Sequence, residues 1–93
     1  MKVVGLKQLE DFSREHTDAR SQIDAWLQEA KEAQWSRPKD IKDRYASASF
    51  LSENRVIFNI KGNSYRLEVK VGYKNQVVLI TRISTHAQYS KWH

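Results

Sequence analysis

The chain has no cysteine, one proline and three glycines in 93 residues. The missing cysteine rules out a disulfide framework, a thiolate metal site and a thiol nucleophile, and a reducing cytoplasm fits that usage. With so little proline and glycine, no internal repeat and no low-complexity run, no linker divides the sequence, and residues 1–93 are expected to form a single domain. Long apolar runs are also missing. The longest, Val77 to Ile80, is far too short to span a bilayer, and the opening Met1 to Leu6 lacks the apolar stretch of a signal peptide. His16, His86 and His93 are scattered and have no acidic partners at ligand spacing, so no metal site is expected.

What the chain does have is positive charge and aromatic side chains. Sixteen Lys and Arg against eleven Asp and Glu give a net charge of +5, and the pI is about 9.6. That balance favours an anionic partner without choosing among nucleic acid, membrane and acidic protein. Three Trp, four Tyr and three Phe are enough for an aromatic core and argue against disorder.

Periodicity divides the sequence into a helical first half and a strand-rich second half. Val3-Val4 suits a short N-terminal strand, and Leu6, Leu9 and Phe12 fall at helical spacing in a helix ending near His16. Asp18 or Thr17 is a suitable N-cap for a second helix, whose apolar positions Ile23, Trp26, Leu27, Ala30 and Ala33 share one face. Ser36-Arg37-Pro38 breaks that helix, and Pro38 can open a short third one over Lys39 to Tyr45, with Ile41 and Tyr45 inward. Three strands follow, Arg55–Lys61, Ser64–Tyr73 and Val77–Ser84, with Ala48 to Leu51 leading into the first.

A two-residue Gly62-Asn63 loop pairs Ile60 with Tyr65, Asn59 with Arg66 and Phe58 with Leu67, apolar facing apolar and polar facing polar. For the next hairpin, a three-residue loop Lys74-Asn75-Gln76 sets Arg82 opposite Glu68 and Leu79 beside Val71. A two-residue loop would instead bury Arg82, which is costly. One sheet face then carries Val56, Phe58, Ile60, Tyr65, Leu67, Val69, Val71, Leu79 and Ile83, covered by the helix pair. The other carries Lys61, Arg66, Glu68, Lys70 and Arg82, with His86 and Tyr89 at its rim on a final helical turn capped by Thr85 or Ser84. A basic face on a small sheet points to a polyanion, RNA above all.

At these residues the chain resembles the HigB family of bacterial toxins. The resemblance rests on Met1-Lys2-Val3-Val4, Glu15-His16-Thr17-Asp18-Ala19, Trp26, Trp35, Asp40-Ile41-Lys42 and Tyr45-Ala46-Ser47-Ala48. Its most specific parts are Val56 through Leu67 and Thr85-His86-Ala87-Gln88-Tyr89. Thr17, Gln88 and Ser90 depart from the family pattern, which commonly has Pro, Glu and Asp there. The resemblance implies an α+β, RelE-like fold: a small, mainly antiparallel sheet covered on one face by an N-terminal helix pair, with a short C-terminal helix. It also implies a ribosome-dependent endoribonuclease that needs no metal or other cofactor. The partners it implies are mRNA on the ribosome and a HigA-like helix-turn-helix antitoxin, through which alone the toxin would meet DNA.

Within that frame, Arg66 and Arg82 are the candidates for holding the scissile phosphate, because a guanidinium matches two phosphate oxygens in one plane. The alternative for Arg82 is a plain ion pair with Glu68. Histidine is the side chain whose unperturbed pKa lies near neutrality, which makes His86 the natural proton carrier; its alternative is a capping or packing role. Tyr89 can stack on a base, donate a proton or simply close the core edge. Lys61 and Lys70 are candidates for flanking phosphates and Asn59 for a base edge, each with solvated surface as the plain alternative. Lys39, Lys42 and Arg44 form a second basic strip that suits ribosomal RNA or a solvated helix face. A non-catalytic basic module that grips RNA or protein is the competing function. A direct DNA binder finds no basic recognition helix in the sequence.

Overall fold

The computed structural model describes residues 1–92. Five strands, β1 (Lys2–Val4), β2 (Ser49–Phe50), β3 (Arg55–Ile60), β4 (Tyr65–Gly72) and β5 (Val77–Thr85), form one sheet in the order β1-β5-β4-β3-β2. All neighbours are antiparallel except β1, which runs parallel to β5. Helices α1 (Leu6–Glu15), α2 (Arg20–Glu32) and α3 (Pro38–Arg44) precede β2, and α4 (His86–Tyr89) follows β5. The α+β expectation holds, with one addition: Ser49-Phe50 is an edge strand of its own rather than a lead-in to β3.

Local chemistry explains most boundaries. Gly5 has φ +95° between β1 and α1, and a Cβ there would lie 3.1 Å from both the Cβ and the carbonyl oxygen of Ile80, so the turn suits glycine. Pro38 opens α3, and Asp40 Oδ2 accepts a 2.8 Å hydrogen bond from the Ser36 amide. The expected Asp18 cap of α2 is not made. Thr17–Ala19 forms a 3-10 turn instead, the cap position is Ala19 with no side-chain bond, and the Asp18 carboxylate is engaged elsewhere.

Leu9 and Phe12 of α1, with Ile23, Trp26 and Ala30 of α2, share one buried cluster with Val56, Phe58, Ile60, Tyr65, Leu67, Val69 and Val71 of the sheet. Phe58 lies among three rings, with centroids at 5.0 Å (Tyr45), 5.3 Å (Trp26) and 6.2 Å (Trp35). Trp26, on the apolar face of α2, and Trp35, in the segment after it, are therefore packing residues.

The first hairpin has the expected register, Ile60 with Tyr65 through Phe58 with Leu67, but its turn is wider. Ladder pairing stops at Ile60 and Tyr65, and the left-handed residues are Lys61 (φ 52°) and Gly62 (φ 62°). The second hairpin combines both candidate registers. Near the turn Gly72 pairs with Val77, Val71 with Val78 and Lys70 with Leu79, as a two-residue loop demands. A β-bulge then inserts Thr81, so that Glu68 meets Arg82 and Leu67 meets Ile83. Val78 and Ile80 are consequently the buried apolar residues of β5, and Leu79, expected in the core, is 41 % exposed on the other face.

Candidate active site on the open sheet face

The face away from α1 and α2 presents a row with Asn59, Arg66 and Ser84 and, beside it, a row with Ile57, Glu68 and Arg82. Arg66 and Arg82 thus occupy diagonal positions on adjacent strands. Glu68 lies between the cations and is 4 % exposed. Its Oε2 is 3.3 Å from Nη2 of Arg82 and 3.8 Å from Nη1 of Arg55, and its Oε1 accepts a 2.7 Å bond from the Thr81 hydroxyl. The bulge residue thus fixes the carboxylate that holds Arg82. Arg66 is 9 % exposed, and its Nη1 donates to the carbonyls of Asn63 at 2.8 Å and Tyr65 at 3.3 Å.

The α4 turn brings the remaining groups over this end of the face. Thr85 and Gln88 form a reciprocal capping box, each side chain accepting the other's backbone N–H at 3.2 Å. This is what Gln88 does in place of an acidic residue. The His86 amide donates to the Ser64 carbonyl at 2.9 Å, which ties the turn to the β3–β4 loop. His86, Tyr89 and Trp92 succeed one another at three-residue spacing, with centroids 6.4 Å apart for the first pair and 5.1 Å for the second. The Arg66 guanidinium is 5.1 Å from the Tyr89 ring centroid, and that of Arg82 is 4.0 Å from Trp92. Arg66, Arg82, His86 and Tyr89 are accordingly linked in one cluster.

Three of the candidate side chains stand outside that cluster. Lys61, assigned to the basic face, points the other way: its Nζ bonds Asp18 Oδ2 at 2.8 Å, beside the Tyr65 hydroxyl, which donates to the same carboxylate at 2.7 Å. The reason is the left-handed backbone at Lys61, which leaves the ladder before strand alternation reaches it. Asn59 is paired with Arg66, but its Nδ2 turns to the Ser47 carbonyl at 3.4 Å. Lys70 is exposed on the open face between Arg55 and Leu79, beyond the bulge from Arg82. The strip on α3 is largely occupied: Lys39 pairs with Asp43 at 3.0 Å, Arg44 with Glu29, and Lys42 donates to the Ala48 carbonyl at 3.0 Å.

The Lys61 hydrogen bond, and then that of Tyr65, holds the Asp18 carboxyl below its ordinary value, and the Tyr65 hydroxyl is raised in return. Burial and the Glu29 hydrogen bond push the Tyr45 hydroxyl well up.

Chemically, the cluster offers two guanidiniums for an anion, an imidazole, a phenol and an indole. Sequence reading missed Arg55, Thr81 and Trp92. Thr81 follows from the bulge, which no periodicity announces, whereas Arg55 was within reach of the regular β3–β4 register, which sets it on the open face opposite Lys70. The His86, Tyr89, Trp92 spacing was the available signal for the third. Among the described residues no helix is long and apolar enough to cross a membrane.

Comparison with curated proteins gives no match. Residues 19–92 match the family model described as HigB toxin, the RelE-like toxic component of a toxin-antitoxin system. That span takes in α2, the whole main sheet except β1, and every member of the Arg66–Arg82 cluster, so the chain belongs to the HigB toxin family.

Proposed function

We propose that this toxin is an endoribonuclease that cuts translated mRNA in the cytoplasm, on the ribosome, and that a HigA-like helix-turn-helix antitoxin restrains it. In that arrangement the antitoxin makes whatever DNA contacts the pair requires. The observation that carries the proposal is the meeting of Arg66 and Arg82 with His86 and Tyr89 at one end of the open sheet face. Family membership supports it.

RNA brings its own nucleophile. The 2′-oxygen attacks the adjacent phosphorus, the new O2′–P bond forms, and the P–O5′ bond breaks. The products are a 2′,3′-cyclic phosphate and a 5′-hydroxyl. One proton leaves the 2′-hydroxyl and one arrives on O5′. His86 and Tyr89 are the proton carriers, and a positioned acid–base group of this kind contributes about 10²–10⁴-fold. Arg66 and Arg82 turn their N–H edges to the non-bridging oxygens, where charge grows as the phosphorane forms. Removing one such preorganised donor costs on the order of 10²–10³-fold. The Tyr89 ring covers Arg66 and must tip aside for phosphate to reach it. Lys70 and Asn59 extend the RNA contact along the face, whereas Lys61 serves the fold through Asp18.

Induced expression of the chain alone should arrest growth. Primer extension on a translated message, with and without ribosomes, should reveal new ends that depend on translation. Arg66→Ala, Arg82→Ala and His86→Ala should each restore growth while circular dichroism stays unchanged. Folded variants as toxic as the parent would remove those residues from the mechanism, and unaltered message ends would leave a binding module without chemistry.

A further inference from the structure

We propose that Trp92 is a base-stacking residue of this site: its indole takes a nucleobase next to the phosphate held by Arg82, with purines preferred over pyrimidines. The inference rests on the nuclease reading above and assigns part of its substrate recognition.

Trp26 and Trp35 are buried in the core, whereas Trp92 lies outside that cluster and is partly exposed. Its backbone N–H closes the C-terminal turn on the Tyr89 carbonyl at 3.0 Å. Its ring is set against Arg82, with the guanidinium carbon 4.0 Å from the centroid, and Tyr89 meets it at a steep 70° angle. A guanidinium stacked on an indole spends its π face, while its N–H edges stay in its own plane for hydrogen bonds. One of those edges goes to Glu68, and a phosphate can take others. The same indole can therefore hold a base while Arg82 holds the neighbouring phosphate. Stacking tolerates any base, but the two-ring purines cover more of an indole, which gives the preference its sign.

The test uses the full chain, 70S ribosomes and a message carrying 2-aminopurine on the 3′ side of the scissile phosphate, with a 2′-O-methyl group blocking the attack. Toxin bound to the complex, verified by co-sedimentation, should quench 2-aminopurine emission. Trp92→Phe should keep most of the quench, and Trp92→Ala should lose it and weaken binding about 10-fold or more. An abasic nucleotide at the labelled position should weaken the parent by a similar factor and Trp92→Ala hardly at all. Unchanged emission with bound parent toxin, or an equal abasic penalty in both proteins, overturns the stacking role. The nuclease reading is judged separately on an unblocked message: cleavage without quenching sinks the Trp92 assignment alone, and no binding sinks both.

Discussion

Glu68 joins the stability of the sheet to the placement of Arg82, and replacing it with glutamine tests that link. The change keeps the side-chain volume and an amide oxygen able to accept the Thr81 hydroxyl, so what it removes is charge. At 3.3 Å, the Arg82–Glu68 separation, the gross attraction is about 1 kcal/mol in bulk water and about 5 at an effective dielectric of 20. The carboxylate is 5 % exposed but Arg82 and Arg55 are 43 % and 32 % exposed, so solvent screens the cations and the upper figure does not apply. Allowing for that screening and for the desolvation already spent on the carboxylate, Glu68→Gln should cost about 1–3 kcal/mol. For a chain of this size each kcal/mol lowers Tm by about 4–8 °C. Urea denaturation at 25 °C gives the loss directly, and a double-mutant cycle with Arg82→Gln should return a coupling of about 0.5–2 kcal/mol. A variant within about 0.5 kcal/mol of the parent, with no coupling to position 82, would refute the reasoning.

Asp18 gives a pH signature. Its carboxyl is depressed in the folded chain, first by Lys61 and then by Tyr65, so the unfolded chain binds more protons on acidification. Its contribution is therefore present above the ordinary carboxylate range and lost as pH falls through the depressed value. Asp18→Asn should flatten that part of the acid limb in denaturation midpoints taken between about pH 2 and 6; identical limbs would sink the assignment. Gly5→Ala puts a Cβ 3.1 Å from Ile80 at φ +95° and should destabilise by about 1–3 kcal/mol, measured in the same urea titration.

Pattern reading succeeded where one rule governed a segment. The Ile60–Tyr65 to Phe58–Leu67 register followed from strict alternation and the α3 start from Pro38, and of the two candidate caps for α4, Thr85 and Ser84, Thr85 makes the bond. It failed where two constraints competed. Asp18 is a good helix cap by type, but two long-range donors, Lys61 and Tyr65, claim its carboxylate, and separations of 43 and 47 residues leave no local trace. Alternation continued past Ile60 puts Lys61 on the basic face, but its left-handed backbone ends that alternation. A single register across the second hairpin puts Leu79 in the core, but the hairpin uses two. In the candidate site, Arg66, Arg82, His86 and Tyr89 could be placed from strand parity and one helical turn. Trp92 stands one further turn position beyond His86 and Tyr89, past the end of α4, and the Glu68–Thr81 support depends on the bulge.

That extra residue has a consequence for how the strand tolerates change in length. On its N-terminal side β5 sends Val78 and Ile80 under the helices, and on its C-terminal side it sends Arg82 and Ser84 to the opposite surface. Thr81 acts as a phase shifter between the two halves. Deleting Thr81 would bring Ile80 and Arg82 side by side opposite Val69 and Glu68, so plain alternation would keep every other side chain on its own surface, and the loss would be the hydroxyl that steadies Glu68. β5 can therefore shorten by one residue at this spot without inverting either half, a slack that a strand without a bulge does not have.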